Sequence, residues 1–163
     1  QTIQGPFTLI DLTTRLHVNH QDLLDQLFSL LEIAIEDPSI LKKIADDYTP
    51  VYNSNIIRQI PMLVAVTFIK SRSGFERDGS YSTKKGDRWQ MFDVGVACQS
   101  FCLAAKEQGL GTVIMGIFDE EKITELLEIP PERELAALIA VGWPDDDPQA
   151  PKRKAVTDLL EYK

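Results

Sequence analysis

Hydrophobic positions along this chain fall into two kinds of run. Met62-Leu63-Val64-Ala65-Val66-Thr67-Phe68-Ile69 is almost unbroken in apolar, branched and aromatic residues and holds no glycine or proline, which predicts a central strand buried on both faces. Leu135 to Val141 has the same character, and Thr112 to Ile117, short, branched and bounded by glycines, predicts a further buried strand. Elsewhere the spacing is three and four. Asn19 is a fitting cap for a helix carrying Leu23, Leu27, Leu30, Leu31 and Ala34, with Leu24, Phe28 and Ile35 widening the stripe as far as residue 36. Asp37 and Pro38 stand as N-cap and first residue of a second helix with Ile40, Leu41 and Ile44 inward. From Trp89 to Gln108 apolar residues occupy almost every face, as in a helix enclosed by the rest of a structure, and Gly109 sits where a left-handed residue would end it. Asp119 caps a short helix with Ile123, Leu126 and Leu127 inward, and a last helix is expected near Val156 to Tyr162.

Two stretches lack periodicity. Pro50 to Pro61 is expected as a plain connection. Ser71 to Arg88 has only Phe75 and Tyr81 as bulky anchors, and a connection of that length is expected to be poorly ordered or to act as a flap near a substrate opening. With the adjoining Lys70 it holds six basic residues against three acidic ones, a charge able to attract a nucleotide phosphate.

Strands separated by helices imply a layered α/β or α+β sheet. At 163 residues, 44% hydrophobic and 26% charged, residues 1–163 suit one domain with a substantial core. Seventeen basic against 25 acidic residues give a formal charge of -8, which disfavours a nucleic-acid backbone as the main partner. No apolar run reaches bilayer-spanning length and no secretory pattern opens the sequence, so a cytoplasmic location without membrane association is the default expectation. Cys98 and Cys102, four apart, are expected as core packing.

Familiar catalytic patterns are missing. Gly109-x-Gly111 has Ile114 where a dinucleotide fingerprint requires its third glycine, and it follows a helix instead of a strand. His17, His20, Cys98 and Cys102 make a poor metal set because the cysteines lie inside an apolar helix; no metal is expected. There is no G-x-S-x-G elbow for a serine hydrolase.

What remains is an ordered set of small motifs. Asp93, Gln99, Leu103-Ala104-Ala105 and Gly109-Leu110-Gly111-Thr112, then a strand ending in Gly116, resemble the corresponding region of the nitroreductase family of flavin enzymes. The likeness continues through Phe118-Asp119-Glu120-Glu121, Leu126-Leu127-x-Ile129-Pro130, Val141-Gly142-Trp143-Pro144 and Pro151-Lys152-Arg153-Lys154. It covers the chain from about Met91 onward; the Arg-Arg-Ser-x-Arg and Pro-Ser-x-x-Asn-x-Gln-Pro-Trp elements usual in the family's first half are absent.

The resemblance implies an α+β fold, a nitroreductase-like sandwich with a central sheet flanked by helices. It implies an FMN-dependent oxidoreductase that moves hydride from NADH or NADPH to a small electron-poor acceptor such as a nitroaromatic, quinone or enone. The same resemblance implies that the Met115 and Gly116 backbones line the flavin ring, that Lys152, Arg153 and Lys154 contact its phosphate, and that the protein is a homodimer with flavin at the interface. No catalytic side chain is indicated, since flavin chemistry asks the protein mainly for orientation and electrostatics. Two alternatives stand beside this: a catalytically idle flavin-binding or structural homodimer, and the same fold turned to flavin fragmentation or oxidation of a peptide heterocycle.

Overall fold

The structure is a computed structural model that describes residues 30–145, 149 and 151–163. Four strands form one sheet in the order β1-β2-β4-β3, every neighbouring pair antiparallel. They are β1 (Leu30–Ile35), β2 (Met62–Ile69), β3 (Gly111–Met115) and β4 (Arg133–Gly142). Helices α1 (Pro38–Asp47), α2 (Val51–Ile57), α3 (Arg88–Glu107) and α4 (Glu120–Leu126) connect them. This is the α+β sandwich expected, with a central sheet and flanking helices.

Side-chain alternation along β2 sorts the core into two layers. Met62, Val64, Val66 and Phe68 face α3, meeting Val94, Cys98, Phe101 and Ala105. Leu63 and Ala65 face the other way, into a layer shared with Leu41, Ile44 and Ala45 of α1, Ile57 of α2 and Ile123 of α4. On β4 the parity changes once. Val66 stands opposite Ala137 and Thr67 opposite Leu135, so Ala136 is the extra residue of a β-bulge. That insertion lets Leu135 join the same layer as Leu138 and Ala140, while Ala136 packs against the α3 side.

Several elements form where local chemistry places them. The Asp37 carboxylate accepts hydrogen bonds from the Ser39 amide (2.7 Å) and the Ile40 amide (3.4 Å), the N-cap expected for α1. On its exposed side, Lys42 and Arg58 both ion-pair with Asp46. Gly109 has φ +78°, and the Gly109 and Leu110 amides reach back to the carbonyls of Lys106 and Ala105 at 2.9 Å each, closing α3 in a Schellman motif. Asp119 caps α4 by accepting from the Lys122 amide at 3.1 Å.

Other expectations are corrected. Of the helix expected over residues 19–36, residues 19–29 lie outside the described ones, and Leu30–Ile35 is a strand: Ile33 and Ile35 turn to one layer and pairing with β2 overrides the helical spacing. Within Pro50–Pro61 lies α2, hidden because Asn53 and Ser54 are buried beside Ile57 and leave no apolar stripe. The third strand is at the sheet edge, with Val113 and Ile114 exposed instead of buried. The last helix shrinks to a single 3-10 turn at Val156–Asp158, where Val156, Leu159 and Leu160 stay exposed.

Ser71 to Arg88 is folded into a compact set of turns. Phe75 and Tyr81 form an isolated bridge with their rings 5.0 Å apart, and the Glu76 amide donates to the Ser80 carbonyl at 2.8 Å. The unit is pinned to the start of α3: the Ser71 amide donates to Gln90 (2.7 Å), the Trp89 indole to the Thr83 hydroxyl (2.7 Å), and the Ser73 hydroxyl to Asp93.

Gly74 is the position that permits this folding. Its φ is +84°, and an added Cβ would stand 2.4 Å from the Gly86 carbonyl oxygen. Gly74→Ala should therefore loosen the turn unit at a cost of about 1–3 kcal/mol, seen as a lower urea midpoint and new protease cleavage within 71–88. An unchanged cleavage pattern would show that the unit tolerates the clash.

Candidate functional site

Helix α3 presents two different faces. Val94, Ala97, Cys98, Phe101 and Ala105 are buried against the sheet, whereas Met91, Phe92, Val96 and Leu103 are exposed. The helix is thus apolar all round without being enclosed by the described residues. Met91, Phe92, Gly95, Val96, Gln99 and Ser100 line an open hollow of about 490 Å³ on the outer face. Gly95 keeps the floor flat, since an added Cβ there would meet nothing within 4 Å. Trp89 stands against the lining residue Phe92, its ring 5.3 Å from that of Phe92 in an edge-on arrangement.

The second candidate surface is the segment after β3. Met115 is buried among Ile123, Leu135 and Leu138 with only 3% of its surface exposed, which leaves Gly116 as the accessible residue of the pair. Gly116 is exposed, and an added Cβ would again meet nothing within 4 Å. This segment is held from behind by groups that sequence reasoning missed. Asn53, buried on α2, donates from Nδ2 to the Ile117 carbonyl at 2.8 Å, and the Asp119 amide donates to the Tyr48 carbonyl at 2.8 Å. In the sequence Asn53 is one polar residue in a stretch without periodicity, and nothing there marks it as buried.

Lys152, Arg153 and Lys154 are exposed and form no ion pair among the described residues. No hydrogen bond joins them to Met115 or Gly116. His17 and His20 lie outside the described residues. Among those described, no cluster of three or more His, Cys, Asp or Glu is placed to hold a metal, and no helix is long and apolar enough to cross a membrane.

Behind the hollow, on the inner side of α3, the Cys98 thiol is close enough to the Glu32 carboxyl of β1 to feel its charge. Burial pushes the Cys98 thiol up to about 11, helped by Cys102 and by Glu32 of β1. Such a thiol is protonated at neutral pH and packs as a small apolar group, the core role expected for it. Glu32 itself is half-buried, and burial raises its pKa above the ordinary glutamate value.

With this geometry in view, comparison with known proteins is decisive at the family level. Residues 7–143 match the profile of the Nitroreductase family. The chain belongs to the nitroreductase family. The match extends the likeness well into the first half, beyond the region from Met91 onward that the motifs alone marked. A nitroreductase family protein from Streptococcus pneumoniae TIGR4 superposes with a TM-score of 0.75 at 16% identity, covering 98% of this chain and 92% of that one. The NADPH:FMN oxidoreductase from Vibrio harveyi, complexed with NAD+, gives 0.67 at 16% identity, covering 99% and 71%. At such identities the structures establish the fold. In sequence, 61 residues are 30% identical to the 5,6-dimethylbenzimidazole synthase of Rhodospirillum rubrum, spanning 37% of this chain and 29% of that relative, less than a third of its length.

The raised pKa of Glu32 has a definite sign. The folded chain keeps the proton to a higher pH than the unfolded one, so the group's contribution to stability is full below the ordinary glutamate value and is lost as pH rises through the folded value. Glu32→Gln, neutral throughout, should be more stable than the parent at about pH 8, with the difference closing towards about pH 4. Urea midpoints at the two pH values check this; a difference independent of pH would show that Glu32 ionises freely.

Proposed function

We propose that this nitroreductase family member is an FMN-dependent oxidoreductase, taking hydride from NADH or NADPH and passing it to a small electron-poor acceptor such as a nitroaromatic, quinone or enone. Family membership over residues 7–143 carries the reading. Similar folds occur in the NADPH:FMN oxidoreductase from Vibrio harveyi and in an FMN-dependent nitroreductase from Clostridium difficile, the latter with a TM-score of 0.58 at 18% identity, covering 83% of this chain and 82% of that one.

The residues present suit a flavin mononucleotide. A flat ring needs backbone it can approach closely, and Gly116 offers an exposed main chain with nothing in the space a Cβ would take. A phosphate needs cations, and Lys152-Arg153-Lys154 supplies three without ion-pair partners among the described residues. When bound, FMN supplies the hydride acceptor and donor at its N5. The chain's part is positional: Asn53 holds the Ile117 carbonyl and Tyr48 the Asp119 amide, which fixes the backbone that follows Gly116.

The exposed apolar half of α3 supports a homodimer in this reading, because Met91, Phe92, Val96 and Leu103 form an apolar strip on a chain that is otherwise amply charged. A reduced nicotinamide donor is a solute of the cytoplasm, and the reading puts the enzyme there. The match to a 5,6-dimethylbenzimidazole synthase favours a second reading, in which the same fold makes a benzimidazole product. The third, an idle flavin-binding or structural homodimer, is separated from both by colour and bleaching: bound FMN bleached by NAD(P)H supports the reductase, bound FMN that persists supports a binder, and 5,6-dimethylbenzimidazole in the reaction mixture supports the second reading.

Two variants test the flavin contacts. Gly116→Val should fold normally, since nothing lies within 4 Å of the new Cβ, yet lose FMN. Replacing Lys152 and Arg153 with Ala should lower FMN affinity by at least about tenfold and riboflavin affinity much less, because charge-assisted bonds to the phosphate, about 1.5–3 kcal/mol each, are what the pair supplies. Flavin fluorescence titration reads both ligands; equal losses would remove these cations from the site.

Phe92→Asp places a charge in the apolar strip. Sedimentation should show the parent as a dimer at micromolar concentration and the variant shifted at least about tenfold towards monomer, as expected for burying an unpaired charge. A parent that sediments as a monomer would overturn the assembly proposed here.

A further inference from the structure

Basic charge in this chain is concentrated where the total would not suggest it. Across the protein 17 basic residues face 25 acidic ones, yet from Lys70 to Arg88 six basic residues face three acidic ones. Lys70, Arg72, Arg77, Lys84, Lys85 and Arg88 are all exposed, and none forms an ion pair among the described residues. Ion pairs elsewhere engage Lys42, Lys43 and Arg58, whereas the turn unit, like Lys152-Arg153-Lys154, carries cations free of carboxylates among the described residues.

These cations are mounted on an ordered frame beside the hollow. Lys85 Nζ lies 4.7 Å from the centre of the Trp89 ring, Trp89 bonds Thr83, and the same ring meets Phe92, which lines the hollow. Gly74 and Gly86 let the turns close tightly, and Ser71 and Ser73 tie them to α3. A rigid frame lowers the ordering cost of binding, so its charges are spent on the ligand and little on reorganisation.

We propose that this turn unit selects a nicotinamide dinucleotide bearing a 2′-phosphate, so that the hydride donor is NADPH in preference to NADH. The inference rests on the oxidoreductase reading above and names its donor. NADPH differs from NADH only by that phosphate, a compact anion whose oxygens accept charge-assisted bonds, bidentate where arginine supplies the donors. Within the turns that follow Lys70, Arg72, Arg77 and Lys84 are the groups assigned to it, because their side chains make no hydrogen bond or ion pair among the described residues. Lys85 and Arg88 are tied to Trp89 and to the Lys85 carbonyl. A strong electrostatic share makes the preference fall with ionic strength.

The test compares 2′,5′-ADP with 5′-AMP, the adenosine halves with and without the phosphate, by calorimetric titration of the purified protein as isolated. The parent should bind 2′,5′-ADP at least about tenfold tighter, the scale set by charge-assisted bonds. In the triple variant Arg72→Gln, Arg77→Gln, Lys84→Gln the ratio should fall to within about threefold, while the control Lys106→Gln, Lys122→Gln keeps it. Equal affinities in the parent, an unchanged ratio in the triple variant, or loss of the ratio in the control would each overturn the inference. Flavin on the same samples separates the two levels. FMN bleached equally by NADH and NADPH overturns the donor preference and leaves the oxidoreductase reading intact; 2′-phosphate selectivity without FMN uptake supports the recognition and defeats that reading.

Discussion

Burial of β2 on both faces is the constraint from which the architecture follows. Every residue from Met62 to Phe68 is at most 2% exposed, including Thr67. A strand enclosed to that degree needs a covering layer on each face and a hydrogen-bonding neighbour on each edge, and α3, the α1/α2/α4 layer, β1 and β4 supply them. Full burial of each large side chain is worth about 1.5–3 kcal/mol, so a one-residue slip of β2, which would exchange the two layers, is strongly disfavoured. The bulge at Ala136 is the local adjustment that keeps β4 matched to both layers, because it lets Leu135 turn towards the same side as Leu138.

That constraint also decides what was legible in the sequence. Strands buried on both faces write themselves as continuous apolar runs, and β2 and β4 were plain for that reason. Caps and stops are equally local: Asp37, Gly109 and Asp119 act as their side chains or conformational freedom dictate. Elements at the margin carry weaker signals. Leu30–Ile35 suits either a helix or a strand until β2 is beside it, and the 111–115 strand shows its edge position only once the strand order is known. The turn unit before α3 was obscured by its polarity, since its order comes from hydrogen bonds and an aromatic pair instead of an apolar stripe.

Helix α3 shows why an all-round apolar pattern is ambiguous. Its inner face covers the sheet as such a pattern demands, but its outer face opens onto solvent in a single chain. Hydrophobicity records that a surface is to be covered without recording by which chain. The same holds for the final residues, where Val156, Leu159, Leu160 and Tyr162 stay exposed around one short turn. Two apolar surfaces without partners among the described residues are costly in a monomer and ordinary in an oligomer.

The flavin site proposed for this chain rests on chemistry that asks little of side chains. Where a cofactor carries the reaction, the protein contributes shaped backbone and fixed charge, and these leave faint marks in sequence: one glycine after a strand, a short basic cluster. What orients the backbone sits elsewhere. Asn53 lies 64 residues from the carbonyl it holds, in a helix too short and too polar to announce itself, and Tyr48 contributes only its main chain. The conformation around Gly116 is therefore a tertiary property, set by a buried amide whose removal would leave the Ile117 carbonyl without its partner. Motif spacing finds the glycine, and only the packed structure finds what keeps it in place.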